Sequence, residues 1–476
     1  MDDFAALDAT AQADLVRTGE VTPVELVDAA IDRAEAVNGE LNAIVTPLYE
    51  RARELAAGEL PDGPFRGVPM VLKDFAAEWE GTRFTEGSAF AGEYVSTHTQ
   101  ELTSRFLAAG LVPIGKTNTP ELGILPTTEP HRFGATRNPW ATDRTTGGSS
   151  GGSAAMVASG VVPVGHANDG GGSIRIPASC CGLYGLKPSR GRVSLGPEYG
   201  DLFGGIVDEG VVATSVRDSA AVLDATHGAV PGDPYAAPAP SRPYADEVGA
   251  DGPPLRIALL TEALTDVPVE AACVDAVTET AGWCEALGHD VVDGRPTIDS
   301  EMFVGQFITT WAAGVAWALA DWEVRTGRTA TADDVEPLTW ALVETGRATT
   351  ADQYLMARQG LQKITRTIAE FMEQVDIWLM PTLAEVPVPL GTFESPPDEP
   401  LAGLFRAASF VPFTPVFNVT GQPAASVPLH QSPEGLPVGT MLVGRYGDEA
   451  TIIRLSAQLE AAHPWADRRP GVWAGS

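Results

Sequence analysis

Two serines and one lysine stand in surroundings that suit nucleophilic chemistry. Ser149 lies in a run of glycines, serines and threonines over residues 145–153, and Ser173 follows three consecutive glycines 24 residues further on. Lys73 comes directly after the apolar residues 68–72. Glycine permits unusual backbone angles and close approach of the chain, which structural cores rarely need twice in succession. Two hydroxyls, an amine and nearby backbone N–H groups are the parts of a serine nucleophile activated without histidine.

The glycines before Ser173 could also supply an oxyanion hole. Consecutive glycines let the backbone N–H groups of Gly170, Gly171, Gly172 and Ser173 turn toward one point, where a negatively charged oxygen would be stabilised. Losing one such donor typically lowers the rate about 10²–10³-fold. A tight turn entering a helix would give the same glycine pattern, so the pattern alone leaves both interpretations open.

Lys73 has two interpretations as well. Burial would lower its pKa toward neutrality and make it a usable base, whereas a lysine at a strand end commonly extends its ammonium group to water. The other lysines of the chain are Lys116, Lys187 and Lys363, so few lysines decorate the surface. None of the four completes a Ser-x-x-Lys dyad of the β-lactamase type.

Other motifs fit less well. The Ser149 loop formally matches the nucleophile elbow of α/β-hydrolases, but that elbow follows a strand and the polar residues 141–146 do not predict one. A phosphate-binding loop would carry lysine after its last glycine, where this chain has Ser153. No histidine lies in a comparable motif, and His166 is interpreted as a core residue. Without a His-x-His or His-Glu-x-x-His pair, we predict no metal and no cofactor.

Composition limits the class of protein. The 476 residues are 44% hydrophobic, with no apolar run that we expect to cross a bilayer. The formal net charge of −32 disfavours nucleic acid as a partner, because phosphate binding needs clustered cations. An acidic start without the regions of a signal peptide predicts a cytoplasmic protein. The cysteines lack metal-site spacing and are predicted to be reduced and buried: Cys180, Cys181, Cys273 and Cys284.

Short apolar runs alternate with helical stretches along most of the chain. The alternation predicts an α/β fold in which a central, mixed but largely parallel, twisted β-sheet is covered by α-helices on both faces. Buried strands are predicted at 68–72, 111–114, 161–164 and 256–260, and helices at 5–18, 23–38, 101–109, 152–158, 269–287, 301–326, 352–375 and 448–460. We expect one domain over 1–476, with a helical segment at about 1–60, a core at about 65–215, a Pro-rich surface loop at about 231–254 and an α/β part at about 255–476.

The two serine loops resemble the amidase signature. Gly-Gly-Ser-Ser-Gly-Gly-Ser at 147–153 and Gly-Gly-Ser-Ile-Arg-Ile-Pro at 171–177 match that family, and so do motifs at 67–74, 115–118, 181–188 and 417–424. The match spans nearly the whole chain, so the resemblance implies the amidase-signature fold. The family commonly has Thr or Ile where this chain has Gly170, and we expect the change to loosen the loop.

The same resemblance implies a role for each matching position. It implies a Ser-cisSer-Lys triad, with Ser173 as the acyl-forming nucleophile, Ser149 as the bridging serine on a cis peptide and Lys73 as the base. The oxyanion hole falls on the N–H groups of residues 170–173. Supporting positions match Ser150, Asp169 and Arg175.

The resemblance further implies hydrolysis of an amide C–N bond to acid and amine through acyl-Ser173. The expected partner is a small-molecule amide. The protein would be a monomer or homodimer that does not bind a membrane. The sequence is similar to the 6-aminohexanoate cyclic-dimer hydrolase branch and to broad amidases acting on apolar, aryl or carbamate-like amides. Aromatic residues that could line a cleft or fill the core are Trp311, Phe410 and Phe413, together with Trp317 and Phe417.

Two alternatives remain open at this stage. One is a glutaminase-type A subunit of glutamyl-tRNA amidotransferase, which normally has Gln where Ile176 stands. The other is a non-catalytic scaffold of the same fold, whose hallmark would be loss of a triad member. All three triad residues are present.

Overall fold

Helices and strands alternate through the computed structural model, which describes residues 3–265 and 267–475. Met1, Asp2, Asp266 and Ser476 belong to the predicted domain and lie outside the described residues. The strands are β1 (Ile44–Pro47), β2 (Pro69–Lys73), β3 (Val112–Thr117), β4 (Arg137–Asn138), β5 (Ala141–Thr145), β6 (Val164–Asp169), β7 (Tyr184–Lys187), β8 (Asp208–Ala213), β9 (Arg256–Leu259), β10 (Asp290–Asp293), β11 (Ile377–Pro381), β12 (Ala424–Gln431) and β13 (Pro437–Val443). The helices are α1 (Ala9–Thr18), α2 (Pro23–Leu41), α3 (Tyr49–Ala57), α4 (Glu101–Ala108), α5 (Gly151–Ala158), α6 (Arg175–Cys181), α7 (Val216–Thr226), α8 (Ala271–Ala286), α9 (Ser300–Thr326), α10 (Pro337–Ala348), α11 (Ala351–Met372), α12 (Ala402–Phe410), α13 (Thr414–Thr420) and α14 (Glu449–Ala462).

One large sheet organises the molecule. Among the described residues it has 11 strands in the order β1-β3-β2-β6-β8-β7-β12-β13-β11-β9-β10, and β4 pairs separately with β5. The α/β fold with a mixed sheet is therefore confirmed. Parallel pairs are in the minority, contrary to prediction, because β8 runs antiparallel to both of its neighbours and β12 and β13 form an antiparallel hairpin. Because one sheet joins the N-terminal and C-terminal strands, the architecture favours the prediction of a single domain.

The sheet is covered on both faces. Along the fully buried strand β2, Met70 and Leu72 belong to one apolar cluster, which also contains Phe106 of α4. Val71, which points to the opposite face, belongs to a second cluster with Ala155 of α5. Since successive side chains of a strand alternate between its faces, a strand buried on both sides reads as a continuous apolar run.

Most predicted elements are present, with one clear shift. Thr22 caps α2 through a complete capping box, with Pro23 at the first helical position. The predicted strand at 161–164 is wrong in position, because β6 begins at Val164 and continues to Asp169. Gly160 is left-handed with φ 76°, and the chain turns after it before the strand begins. The later start places Asn168 and Asp169 at the carboxyl end of the strand.

Helix α9 is long and apolar enough to cross a membrane by length and composition, contrary to the expectation from the sequence. In the fold, 44% of the 18-residue apolar stretch of this helix is buried, and the helix packs against α10 and α11. Leu319 and Trp322 on this helix belong to the core. One side of α9 is therefore packed against the rest of the protein.

The cysteines are buried, and most of the proline-rich segment has no regular secondary structure. All four cysteines are free and buried. Residues 231–254 are mostly irregular and include the short 3₁₀ helix Tyr244–Glu247, whose Tyr244 side chain is buried.

Candidate active site

Lys73 is the last residue of β2 and is fully buried. Its Nζ donates hydrogen bonds to Ser149 Oγ at 2.7 Å and to Asn168 Oδ1 at 2.6 Å. Burial lowers the pKa of Lys73 to about 7, while the carboxylates of Glu209 and Asp169 act in the opposite direction. A lysine in this position does not extend to water, and a large fraction of it is neutral at physiological pH.

The loop that carries Ser149 is held from the side by Thr128. Its hydroxyl donates to Gly147 O at 3.0 Å and accepts the N–H of Gly151 at 3.1 Å. The peptide bond between Gly148 and Ser149 is cis. The short strand β5 precedes this loop, contrary to the prediction from its polar sequence, but it pairs with β4 and not with the main sheet. Its polarity reflects this partly exposed position, since only Thr145 of the strand is buried.

Ser173 lies on the loop between β6 and α6 and reaches a cavity of about 170 Å³. Its Oγ makes no hydrogen bond with any residue that the structure describes. Gly123 connects the two serines: it lines the same cavity, and a Cβ placed on it would lie 3.3 Å from Ser149 Oγ. Ser149 therefore lies directly behind the cavity wall, between Lys73 and the chamber that Ser173 faces.

Backbone N–H groups of the glycine loop are available for a ligand. Within 3–265 and 267–475, none of the N–H groups of Gly170, Gly171, Gly172 and Ser173 donates a hydrogen bond. Gly172 has φ 133°, and a Cβ there would lie 2.3 Å from Thr414 Oγ1, so the position requires glycine. Four unpaired donors beside a free serine hydroxyl have the composition of an oxyanion hole.

A buried ion pair anchors the start of this loop. Asp169 accepts hydrogen bonds from Arg175 Nε at 3.0 Å and Arg175 Nη2 at 2.9 Å, and from the N–H of Ile174 at 3.1 Å. Asn418 of α13 donates to Asp169 Oδ1 at 2.8 Å and accepts from Arg175 Nη2 at 2.8 Å. Although burial acts to raise it, the pKa of Asp169 is held at about 2, chiefly by Arg175.

Two further contacts fix the loop. Thr414 Oγ1 donates to the carbonyl of Gly171 at 2.7 Å. Ser150, directly before α5, donates to the carbonyl of Asn168 at 3.3 Å. The predicted supporting residues Asp169, Arg175 and Ser150 thus all contact the loop or its flanks.

The cavity beside Ser173 is apolar. Three aromatic rings on successive turns of α9 form one wall, with centroids 6.0 Å apart for Phe303 and Phe307 and 5.6 Å apart for Phe307 and Trp311. None of the lining residues that the structure describes is charged. The full lining is Gly123, Ile124, Leu125, Pro126, Gly171, Ser173, Ile176, Thr265, Phe303, Val304, Phe307, Ile308, Trp311, Leu404, Phe405, Ala407, Ala408, Val411, Pro412 and Pro415.

The structure places the three predicted pocket residues in two different surroundings. Trp311 lines the cavity, but Phe410 and Phe413 are fully buried and do not. Phe410 packs against Phe393 at 5.4 Å, and Phe413 belongs to the main apolar cluster. Phe410 ends α12 and Phe413 precedes α13, and both side chains point into the core, whereas Ala407 and Ala408 of α12 and Pro415 of α13 line the cavity.

Sequence reasoning missed Asn168, Asn418, Thr414 and Phe307. Asn168 directly precedes Asp169 at a strand end, which is a usable signal for a site residue. Asn418 lies in a motif that had been noted for resemblance alone. Phe307 could have been found from its spacing of four residues to Trp311 on a predicted helix. Among the described residues there is no cluster of His, Cys, Asp and Glu that could hold a metal ion.

Comparison with known proteins identifies the family of the chain. The family model named Amidase matches residues 25–453. A 6-aminohexanoate-cyclic-dimer hydrolase from Pseudomonas sp. (strain NK87) is 40% identical over an alignment 476 positions long, gaps included, which covers 97% of this chain and 96% of that protein. A solved structure of 6-aminohexanoate cyclic dimer hydrolase matches with a TM-score of 0.95 at 40% identity, covering 98% of this chain and 99% of the other. A bacterial aryl acylamidase matches with a TM-score of 0.86 at 27% identity, covering 97% of each chain.

The serine loops, the buried lysine and these matches lead to the same conclusion. The chain belongs to the amidase signature family and is a hydrolase that acts on amide C–N bonds.

Proposed function

We propose that this amidase hydrolyses small, uncharged, apolar amides, cyclic and aryl amides among them, through an acyl-Ser173 intermediate. The observation that carries the proposal is the free hydroxyl of Ser173 in the wall of a cavity whose lining, over residues 3–265 and 267–475, contains no charged side chain. Lys73, hydrogen-bonded to Ser149 behind that wall, supplies the base.

In the acylation step, neutral Lys73 takes the proton of Ser149 while Ser149 takes the proton of Ser173. The Oγ of Ser173 forms a bond to the amide carbon, and the carbonyl oxygen becomes an oxyanion among the N–H groups of residues 170–173. When the C–N bond breaks, the proton returns through Ser149 to the departing nitrogen. The products of this step are the free amine and the acyl ester of Ser173.

In the deacylation step, water follows the same path. Water gives a proton to Ser149, which passes its own proton to Lys73. The oxygen of the water attacks the ester carbon, and the same N–H groups stabilise the second oxyanion. Collapse returns the proton to Ser173 Oγ and releases the acid. Both steps need Lys73 in its neutral form, because a protonated amine cannot accept a proton.

The lining of the cavity supports uncharged substrates. An ion that entered this cavity would lose its hydration and would meet no charged side chain among the lining residues that the structure describes, which is strongly unfavourable. Glutamine carries an ammonium and a carboxylate, so the lining disfavours the alternative of a glutaminase-type subunit. Ile176, which stands where that subunit normally has Gln, lines the cavity.

The aromatic wall supports rings and flat amides. Phe303, Phe307 and Trp311 offer three faces on one side of the cavity, where an aryl group or an extended methylene chain would bury apolar surface. The 40%-identical relative is named for hydrolysis of the 6-aminohexanoate cyclic dimer, and that substrate fits the same features because a cyclic diamide has no charged terminus.

The cyclic and linear dimers of 6-aminohexanoate make a matched test. They contain the same acyl group and amine, but the linear dimer carries two terminal charges. We expect kcat/KM for the linear dimer to be at least about 10²-fold lower, since its ends would have to be desolvated. Glutamine should be a poor substrate, and 4-nitroacetanilide a usable one. Equal rates on the linear dimer or on glutamine would contradict the proposal, and hydrolysis of none would favour the scaffold alternative.

The charge and the cysteines of the enzyme bear on its location, its oligomeric state and its partners. We infer a cytoplasmic monomer or homodimer that binds neither nucleic acid nor membrane and uses no cofactor. The net charge of −32 and the free cysteines support this inference.

A further inference from the structure

A buried carboxylate lies behind the residues that contact Lys73. Asn168 of β6 and Glu209 of β8 are directly opposite in an antiparallel pair, and His166 lies two residues before Asn168, on the same face. On its other side β6 pairs with β2, the strand that ends at Lys73. All four side chains are at most 3% exposed. Three adjacent strands thus bring them together in the dry interior of the sheet.

The four residues form a closed ring of hydrogen bonds. The backbone N–H of Lys73 donates to His166 Nδ1 at 3.2 Å, and His166 Nε2 lies 2.6 Å from Glu209 Oε2. The other oxygen of Glu209 accepts from Asn168 Nδ2 at 3.5 Å. Asn168 Oδ1 accepts from Lys73 Nζ at 2.6 Å. The ring begins at the backbone of Lys73 and ends at its amine.

The backbone end of the ring fixes the state of the histidine. A backbone N–H can only donate, so His166 Nδ1 must be the unprotonated nitrogen of the imidazole. The hydrogen is therefore on Nε2 and is donated to Glu209. Glu209 accepts on both oxygens, which matches its ionised form.

The hydrogen bonds of Asn168 determine which way its side-chain amide is oriented. Its NH₂ group donates to Glu209 Oε1 and to the carbonyl of Phe75 at 3.3 Å, both of which act as acceptors here. The amide oxygen must then face Lys73. The ammonium form of Lys73 donates to both Ser149 Oγ and Asn168 Oδ1. The neutral form has two hydrogens and one lone pair, so giving one hydrogen to Asn168 leaves the lone pair free to accept the hydrogen of Ser149 Oγ.

We propose that Glu209 is a positioning residue of the amidase, which orients Asn168 and His166 so that the lone pair of Lys73 faces Ser149. This inference rests on the proposed function, in which Lys73 is the base. Glu209 is not among the residues that line the cavity, so it acts through its neighbours and not on the substrate.

The charge of Glu209 gives this role a measurable signature. The titratable groups that face Lys73 are Glu209 of β8, Asp169 and His166 of β6, and Glu86 of the segment after β2. Burial lowers the pKa of Lys73, and the carboxylate of Glu209 is the strongest of the opposing influences. Removing its charge lowers the pKa of Lys73 further, so the enzyme should stay active to lower pH.

The test is the pair of variants Glu209→Gln and Glu209→Asp. Glutamine keeps an acceptor for His166 but turns an NH₂ group toward that of Asn168, so the orientation of the amide is lost. We expect Glu209→Gln to lower kcat by about 10- to 100-fold with KM unchanged, and to move the acid limb of kcat/KM to lower pH. Glu209→Asp keeps the charge at a changed distance, so its acid limb should stay near that of the parent while kcat falls less.

Asp218→Asn is the control for replacing a buried acidic side chain by its amide. Asp218 of α7 is also fully buried and accepts the N–H of Ala9 at 2.6 Å, and it is not among the charged groups that shift the pKa of Lys73. The control should change Tm but neither kcat nor the acid limb. If Glu209→Gln keeps the parent's kcat and acid limb, the inference is overturned.

Failure of the inference and failure of the proposed function give different results. If Glu209→Gln does not fold, Glu209→Asp decides, because parental kcat in that variant also excludes a positioning role. If Lys73→Ala or Ser173→Ala retains hydrolysis, the assignment of the base or of the nucleophile is wrong, whatever Glu209 does.

Discussion

Lys73 Nζ lies 2.7 Å from Ser149 Oγ while both side chains are buried. The same desolvation that lowers the pKa of the lysine to about 7 also strengthens its hydrogen bond to the serine. A buried lysine with a lowered pKa can act as a base without any histidine in the proton path.

The pH dependence follows from this pair. Lys73 must be neutral to accept a proton, so kcat/KM should fall about tenfold per pH unit below about pH 7 and level off above it. The measurement is a pH profile on an uncharged substrate, in which only the enzyme titrates. Activity that stays flat down to pH 4 would contradict a lysine base.

Replacement of the lysine by arginine sharpens the same test. Lys73→Arg keeps a long cationic side chain, but arginine stays charged throughout the accessible pH range. We expect it to be inactive at every pH, at the detection limit of the assay. Recovery of activity at high pH would argue for another base.

A covalent label should separate the two serines. Ser173→Ala removes the nucleophile and should abolish labelling by a serine-directed fluorophosphonate, detected as loss of the mass shift of the intact protein. Ser149→Ala keeps the nucleophile but cuts its path to Lys73, so labelling should persist and slow by about 10²–10⁴-fold. Loss of labelling therefore identifies the nucleophile, whereas slowed labelling identifies the serine that relays its proton.

Ser159→Ala serves as the control for the labelling experiment. Ser159 is a buried serine after α5, and it is not among the residues that line the cavity. Its variant should be labelled at the parent's rate. Labelling that survives in Ser173→Ala would place the nucleophile at another residue.

The sequence was informative wherever one short segment carries the whole signal. Ser149, Ser173 and the glycines between Asp169 and Ser173 could be recognised because their chemistry depends on local order along the chain. Lys73 could be singled out because it ends an apolar run. Each of these signals is contained within a few consecutive residues.

Contacts across the sheet could not be foreseen in the same way. Glu209 meets Asn168 because β8 lies next to β6, and nothing in the local sequence states that strand order. Phe410 and Trp311 are equally apolar, so their types do not tell which one faces the cavity. The local sequence also does not state that most strand pairs are antiparallel, since strand direction depends on how the connections pass over the sheet.

The ion pair of Asp169 and Arg175 should be essential for stability. Asp169→Asn leaves a fully buried guanidinium without its counter-charge, which we expect to lower the free energy of unfolding by about 3–5 kcal/mol. Urea denaturation at pH 7 measures this loss. Because the pKa of Asp169 in the folded protein lies below its ordinary value, the stability that it contributes is present above about pH 4 and is lost as the pH falls toward 2.

Asp290→Asn is the control for that prediction. Asp290 pairs with Arg256 at 3.9 Å, and both side chains are more than half exposed. We expect a change within about 0.5 kcal/mol. Equal effects of the two substitutions would show that the pair of Asp169 and Arg175 does not anchor the loop.

Gly170 should set the width of the cavity at Trp311. A Cβ at residue 170 would lie 3.1 Å from Val207 Cγ2 and 3.4 Å from Trp311 Cζ3, so the indole approaches the loop where glycine leaves room for it. Gly170→Thr places a branched side chain in this space, and we expect the indole to shift into the cavity. The prediction is a narrower cavity with the N–H donors of the loop still in place.

The kinetic signature of Gly170→Thr is a change in selectivity. We expect kcat/KM for a bulky aryl amide to fall about tenfold, mainly through KM, and that for acetamide to change little, because a small acyl group does not reach Trp311. Gly170→Ala should have an intermediate effect, since its single methyl group meets Val207 at a tight but adjustable distance. A proportional loss of kcat on both substrates would instead mean that the substitution disturbs the oxyanion loop, and glycine at this position would then serve the chemistry and not the fit of the substrate.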